Sequence, residues 1–245
     1  LITTTPHTGI KEKGYTPLLR QRYERKFVVQ MISRSAVEHI IKYHPAAFSE
    51  IFKQRNVNNI YLDTGRLSYY HDNVSGSNKR KKVRIRWYGD MFGEVEQPVL
   101  EIKLKNGYIG RKQSFPLKPF IVDERFDIEM LRSVFRQSEL PLNLMSEVTE
   151  LQPALLNGYT RKYFQNYKKD FRITVDDHLV YMDVKNRFNT FRRQELIDIG
   201  VIVELKYDAT KDDFAEGITN YFPFRMTKSS KYVNGIDLLH SNPSI

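Results

Sequence analysis

The chain has 245 residues, and its 39 lysines and arginines exceed 29 aspartates and glutamates by ten, so anionic partners are expected: nucleic acid, a phosphate polymer or an acidic membrane surface. No cysteine occurs, which excludes disulfides, thiolate zinc sites and cysteine nucleophiles. No run of about eighteen apolar residues is present, so no membrane-spanning helix is expected, and the length suits one domain over 1–245 with a core from about 20 to 240.

Residues 1–14 carry neither the apolar run of a signal peptide nor the arginine pattern of a transit peptide, and 1–19 read as an N-terminal extension. Leu1 is not a methionine, so a further segment upstream is expected. Period-two alternation then predicts strands over 23–30, 59–63, 82–88, 99–105, 110–117, 171–176, 179–183 and 201–207. Ser33 is placed to cap a helix over 36–43. A second helix, 127–136, carries Ile128, Leu131, Val134 and Phe135 on one side, and a third covers 212–221. Residues 75–82 read as a hairpin tip, with Lys79–Arg80–Lys81–Lys82 an exposed anion lure. Asn73–Val74–Ser75 fits a glycosylation acceptor only by chance, given no secretory signal.

The gaps between strands are hairpin-sized, which points to antiparallel order. About eight strands is the number that closes a small barrel. Within them the alternation sorts charge from bulk. In 82–87 one face is Lys82, Arg84 and Arg86 and the other Val83, Ile85 and Trp87; Glu101, Lys103 and Lys105 alternate likewise with Ile102 and Leu104. Arg172, Thr174 and Asp176 share a face, as do Glu204 and Lys206. A solvated face mixes signs, whereas these are mostly basic, and like charges set side by side repel unless a polyanion joins them. The expectation is an all-β dominated α+β fold: a closed eight-stranded antiparallel β-barrel with a basic polar lumen and helices packed outside, Trp87 belonging to the outer core.

The runs Tyr23-Glu24-Arg25-Lys26-Phe27, Val83-Arg84-Ile85-Arg86-Trp87-Tyr88-Gly89 and Arg225-Met226-Thr227-Lys228-Ser229-Ser230-Lys231-Tyr232 together resemble the catalytic domain of the vacuolar transporter chaperone (VTC) polyphosphate polymerases, within the triphosphate tunnel metalloenzymes. The likeness extends over about 23 to 237. It implies transfer of the γ-phosphate of ATP to a growing polyphosphate chain, with Mn²⁺ or Mg²⁺. Carried onto this sequence, it implies catalytic roles for Lys26, Arg84, Arg86, Lys103, Arg161 and Lys206 and phosphate binding by Lys112, Lys228, Ser230 and Lys231. Glu204 is the implied metal ligand, with Glu24 and Glu101 behind it. Arg161 is placed by Tyr159-Thr160-Arg161-Lys162-Tyr163-Phe164, which is similar to the family's Y-x-R-x-x-F segment. The family's hydrolytic members open with glutamate-x-glutamate-x-lysine; here Arg22 stands in place of the first glutamate, which favours the polymerase branch.

These residue types suit phosphoryl transfer, which depends on positioning and electrostatic stabilisation of charge on the phosphoryl oxygens. Arginines fork onto two oxygens and lysines neutralise. A hard cation bridging phosphates needs only one or two carboxylates. The expected partners are ATP and inorganic polyphosphate, in the cytoplasm where ATP is the donor, with a membrane protein accepting the polymer as in the family. Nucleic acid is disfavoured because groove-reading motifs and exposed aromatic platforms are lacking. A hydrolase of the same class and a non-catalytic receptor for polyphosphate or inositol phosphates are the alternatives. P-loop, dinucleotide-binding, zinc-protease and nucleophile-elbow motifs are absent.

Overall fold

Each half of the chain contributes long strands that are buried on both faces. The computed structural model describes residues 22–107, 109–191, 193–195 and 200–241; the expected N-terminal extension lies outside them. In chain order the elements are β1 (Arg22–Val29), α1 (Arg34–Lys42), β2 (Ser49–Asp63), α2 (Ser68–Val74), β3 (Lys79–Tyr88), β4 (Gly93–Val95), β5 (Val99–Asn106), β6 (Ile109–Pro116) and β7 (Phe120–Val122). There follow α3 (Ile128–Gln137), α4 (Leu142–Thr149), β8 (Gln152–Gln165), β9 (Phe171–Met182), β10 (Arg193–Glu195), β11 (Val201–Asp208), α5 (Asp212–Thr219) and α6 (Lys231–Ser241). The expected caps are made: the Ser33 side chain accepts from Ala36 N at 3.3 Å and Asp127 from Met130 N at 2.7 Å.

The main sheet has nine strands in the order β1-β11-β9-β8-β2-β3-β5-β6, with β10 added on β9, and β4 pairs with β7 separately. All the pairings are antiparallel. The sheet is open, which corrects the closed eight-stranded barrel: β1 and β6 are its ends, and among the described residues no ladder joins them. The edge of β1 is used by a strap from the C-terminal segment. Met226 bridges Phe27, and Thr227 N donates to Lys26 O at 2.8 Å. The sheet nevertheless curls strongly. Six strand spacings separate β1 from β5, about 29 Å if flat, yet Lys103 Nζ lies 3.1 Å from Glu24 Oε2.

Two apolar clusters lie on the convex face. One, under α1 and α5, joins Phe27, Ile41, Phe164, Ile173, Val203 and Leu205; the other, under α3 and α4, joins Ile85, Trp87, Leu100, Ile102, Leu131 and Val148. Trp87 is buried there, as its alternation with the arginines indicates. A third cluster corrects the picture of a wholly polar lumen with every helix outside. Val57, Tyr61, Leu155, Tyr159, Tyr181 and Ile202, on the concave face, pack against Tyr232 and Ile236 of α6. Helix α6 sits so close that a Cβ on Gly235 would fall 2.5 Å from both Leu155 and Tyr181 side chains. One end of the concave face is therefore plugged, and the rest is polar.

Local structure corrects two further expectations. Lys79–Lys82 open strand β3 rather than forming a tip, after the short α2, whose Asn73 side chain donates to Lys81 O at 3.1 Å. The two strands expected at 171–176 and 179–183 are one, β9, carrying an irregularity at His178 (φ 52°) with a register shift on β8. Among the described residues no helix is long and apolar enough to cross a membrane.

Candidate functional site

Period-two alternation sends one row of side chains from each strand into the concavity. Glu24 and Lys26 come from β1, Glu204 and Lys206 from β11, Thr174 and Asp176 from β9, and Tyr159 and Arg161 from β8. Asn59 and Tyr61 come from β2, Lys82, Arg84 and Arg86 from β3, Glu101 and Lys103 from β5, and Lys112 from β6. The charges gather around carboxylates in three groups.

In the first, Glu204 Oε1 lies 2.9 Å from Lys26 Nζ and its Oε2 lies 2.7 Å from Lys206 Nζ. Both lysines also approach Glu24 Oε1, at 3.7 and 3.8 Å, so two carboxylates share two ammonium groups. Burial pushes the Glu204 carboxyl up, but Lys206, Lys26, Lys231 and Arg161 outweigh it and hold it well below the usual range. Glu24 is lowered too: burial and Glu204 raise it, and Lys26, Lys103 and Lys206 prevail. Burial lowers both lysines, yet Glu204 and Glu24 carry Lys26 above its ordinary value, whereas Lys206, pressed also by Arg161, stays below.

In the second, Asp176, fully buried, receives Arg161 Nε at 2.5 Å on one oxygen and Arg161 Nη2 at 2.6 Å and Lys231 Nζ at 2.5 Å on the other. Arg161 Nη2 is also 3.7 Å from Glu204 Oε2, which links this group to the first. In the third, Arg84 donates to Glu101 Oε2 through Nε at 2.8 Å and Nη2 at 2.5 Å, Arg86 Nη1 lies 3.6 Å away, and Lys112 donates to Oε1.

Tyrosines aim the arginines. Arg84 Nη1 donates to the Tyr61 hydroxyl at 3.3 Å, and Arg86 donates to Asn59 Oδ1 at 2.9 Å and the Tyr159 hydroxyl at 3.1 Å. Tyr61 stacks on Tyr232, whose hydroxyl donates to Asp63. Burial raises the Tyr159 phenol, but Arg161, Arg86 and Lys231 draw it below its ordinary value. Ser230 receives Lys82 Nζ at 2.7 Å and accepts from Val233 N at 3.3 Å, capping the start of α6.

The structure thus brings together Lys26, Arg84, Arg86, Lys103, Arg161, Lys206, Lys112, Ser230 and Lys231 with Glu204, Glu24 and Glu101, and leaves Lys228 exposed on the strap. Lys103 and Lys112 are half exposed, toward solvent. Sequence reasoning missed Asp176, Tyr61, Tyr159 and Asn59. Asp176 shares the inward face of Arg172-Ile173-Thr174-Val175-Asp176 and could have been found there.

Glu101 supports a test of stability. Burial raises its carboxyl, but Arg84, Arg86 and Lys112 bring it to about 2 from an ordinary 4.5. A depressed carboxyl stabilises the fold fully above about 4.5, and that contribution, of order 3 kcal/mol, fades as pH falls toward 2. Urea unfolding at pH 7 and pH 3 should therefore show a smaller acid loss in Glu101→Gln than in wild type; equal losses would deny the role.

The eight paired cations exceed the four carboxylates by four, so the concavity is built for anions. A curled antiparallel sheet with this cationic inner face defines a tunnel-like anion-handling protein. The VTC domain model matches residues 21–240, and the chain belongs to the VTC domain family. The fold is similar to that of a candidate adenylate cyclase from Vibrio parahaemolyticus (13% identity, TM-score 0.53, covering 88% of this chain and 98% of that one). A Pyrococcus horikoshii OT3 protein is similar as well (10% identity, TM-score 0.50, 90% and 99% covered). A comparison with curated proteins gives no match.

Proposed function

We propose that the chain is a metal-dependent phosphotransferase that moves the γ-phosphate of ATP onto a growing inorganic polyphosphate chain. Membership of the VTC domain family supports this. The observation that carries it is the distribution of carboxylates: two face one another across Lys26 and Lys206, while Glu101 and Asp176 are taken up in holding arginines and lysines.

Arg84 and Arg86, held by Tyr61, Asn59 and Tyr159, orient the transferring phosphoryl oxygens, and Lys26, Lys206 and Arg161 neutralise charge that develops on them. The terminal phosphate of a chain is already anionic and needs no general base, and none of the contacts in the three groups comes from histidine.

Among the described residues no three histidine, aspartate or glutamate side chains cluster into an all-protein metal cage. The fit is to a hard ion that takes one or two carboxylates and completes its shell with phosphate oxygens and water, with Glu204 and Glu24 as its protein ligands. Bound there, Mg²⁺ or Mn²⁺ would polarise phosphoryl oxygens and offset their charge.

Incubating the protein with ATP, Mn²⁺ and a short polyphosphate primer should give a ladder of lengthening chains on a gel. Orthophosphate alone would mean a hydrolase, and binding without turnover a receptor. Glu204→Gln should lower the rate about a hundredfold or more while retaining polyphosphate affinity. A variant that keeps its rate would remove Glu204 from the site.

A further inference from the structure

Strands β3 and β5 place like charges directly opposite one another: Lys82 faces Lys103, which faces Lys112 on β6, and Arg80 faces Lys105. Such pairs are destabilising in a sheet. Lys103 and Lys112 are answered by Glu24 and Glu101, but among the described residues no carboxylate lies within ion-pair distance of Arg80, Lys82, Lys105 or Lys228. Lys82 is partly buried, and its one hydrogen bond among the described residues is to the Ser230 hydroxyl. Burial, then Arg80 and Lys103, lower the Lys105 ammonium against Glu24, which raises it, and Lys228 on the strap adds to the lowering.

The site thus has two parts. Around Glu204, Glu24, Asp176 and Glu101 the cations are partly balanced; beyond Arg84 they are not. Along β3 the inward row Arg86, Arg84, Lys82, Arg80 spans roughly 20 Å, a longer track than three linked phosphates need.

We propose that Arg80, Lys82 and Lys105, with Lys228, form a second condensed-phosphate subsite at the open end, holding phosphates of a chain that lie beyond those on Arg84 and Arg86. The proposal deepens the polyphosphate reading and rests on it for the ligand class. The state of Lys82 agrees with it: burial, then Lys26, Lys103, Arg84 and Arg80, pull its ammonium down to about 7, and a phosphate at Ser230 would restore the charge.

The test is calorimetric titration of wild type and the triple variant Arg80→Gln/Lys82→Gln/Lys105→Gln with inorganic tripolyphosphate and with long-chain polyphosphate. Long chains should bind the variant at least about tenfold more weakly, with tripolyphosphate changed by no more than about twofold. Its retained binding doubles as the control for folding, and Lys82→Arg/Lys105→Arg should bind long chains as wild type does. Unchanged long-chain binding, or equal loss of both ligands, would overturn the subsite. A failure of chain growth from ATP with this binding difference intact would instead overturn the polymerase reading alone.

Discussion

Arg84→Ala is expected to lower the rate of phosphoryl transfer on the order of 10²- to 10³-fold, about 3–4 kcal/mol of transition-state stabilisation, while the protein remains folded. The guanidinium is pinned by Glu101 on two nitrogens and by Tyr61 on a third, so in the proposed transfer it would meet the phosphoryl group already oriented. Its charge is secure: burial lowers it, but Tyr61 and Glu101 outweigh that and raise it above the ordinary arginine value. Arg84→Lys keeps charge and loses the fork, so it should recover part of the rate only. Steady-state rates with unchanged circular dichroism and polyphosphate binding measured in parallel separate this from unfolding. A rate within a few-fold of wild type would remove Arg84 from the reaction.

Asp176→Asn should destabilise the protein by about 3–5 kcal/mol, the magnitude found when one partner of a buried ion pair is removed. The substitution keeps the shape and leaves Arg161 and Lys231 without the carboxylate that both contact at 2.5 Å. Burial raises the Asp176 carboxyl, but Arg161 and Lys231 prevail and hold it below its ordinary 3.8, so its contribution is present above that value and lost as pH falls below it. Urea midpoints across that range should converge for wild type and variant in acid. A parallel offset at every pH would show that the loss is one of packing.

The inner faces of β3 and β5 were legible because each alternates a charge with an apolar residue buried on the convex face. The same logic failed on β8, where residues on both faces are buried, so no period-two signal survives. Strand β2 failed for a different reason: only its end from Asn59 was readable, because residues 49–56 are mostly exposed and carry no alternation of apolar and polar side chains. Asp177 and His178 imitate a hairpin turn, but φ 52° at His178 is absorbed as an irregularity within one long strand.

Closure was the least legible property. Strand count is compatible with a barrel, yet it does not say that the edge of β1 pairs with Met226 and Thr227 rather than β6. Nor does local pattern announce that α6, with Gly235 at its centre, enters the concave face instead of coating the sheet. Charge was easier. Nine of the ten cation and hydroxyl positions expected to bind phosphate converge, because a two-residue period fixes the side on which each strand residue lies.

The proposed reaction passes a phosphoryl group from ATP to a phosphate chain within this concavity. It is tested most directly by supplying ATP labelled at its γ-phosphate, with Mn²⁺ and unlabelled polyphosphate, and following the label. Label should enter chains that lengthen with time, with stoichiometric unlabelled ADP; label released only as orthophosphate, with the chains unchanged, would rule the transfer out.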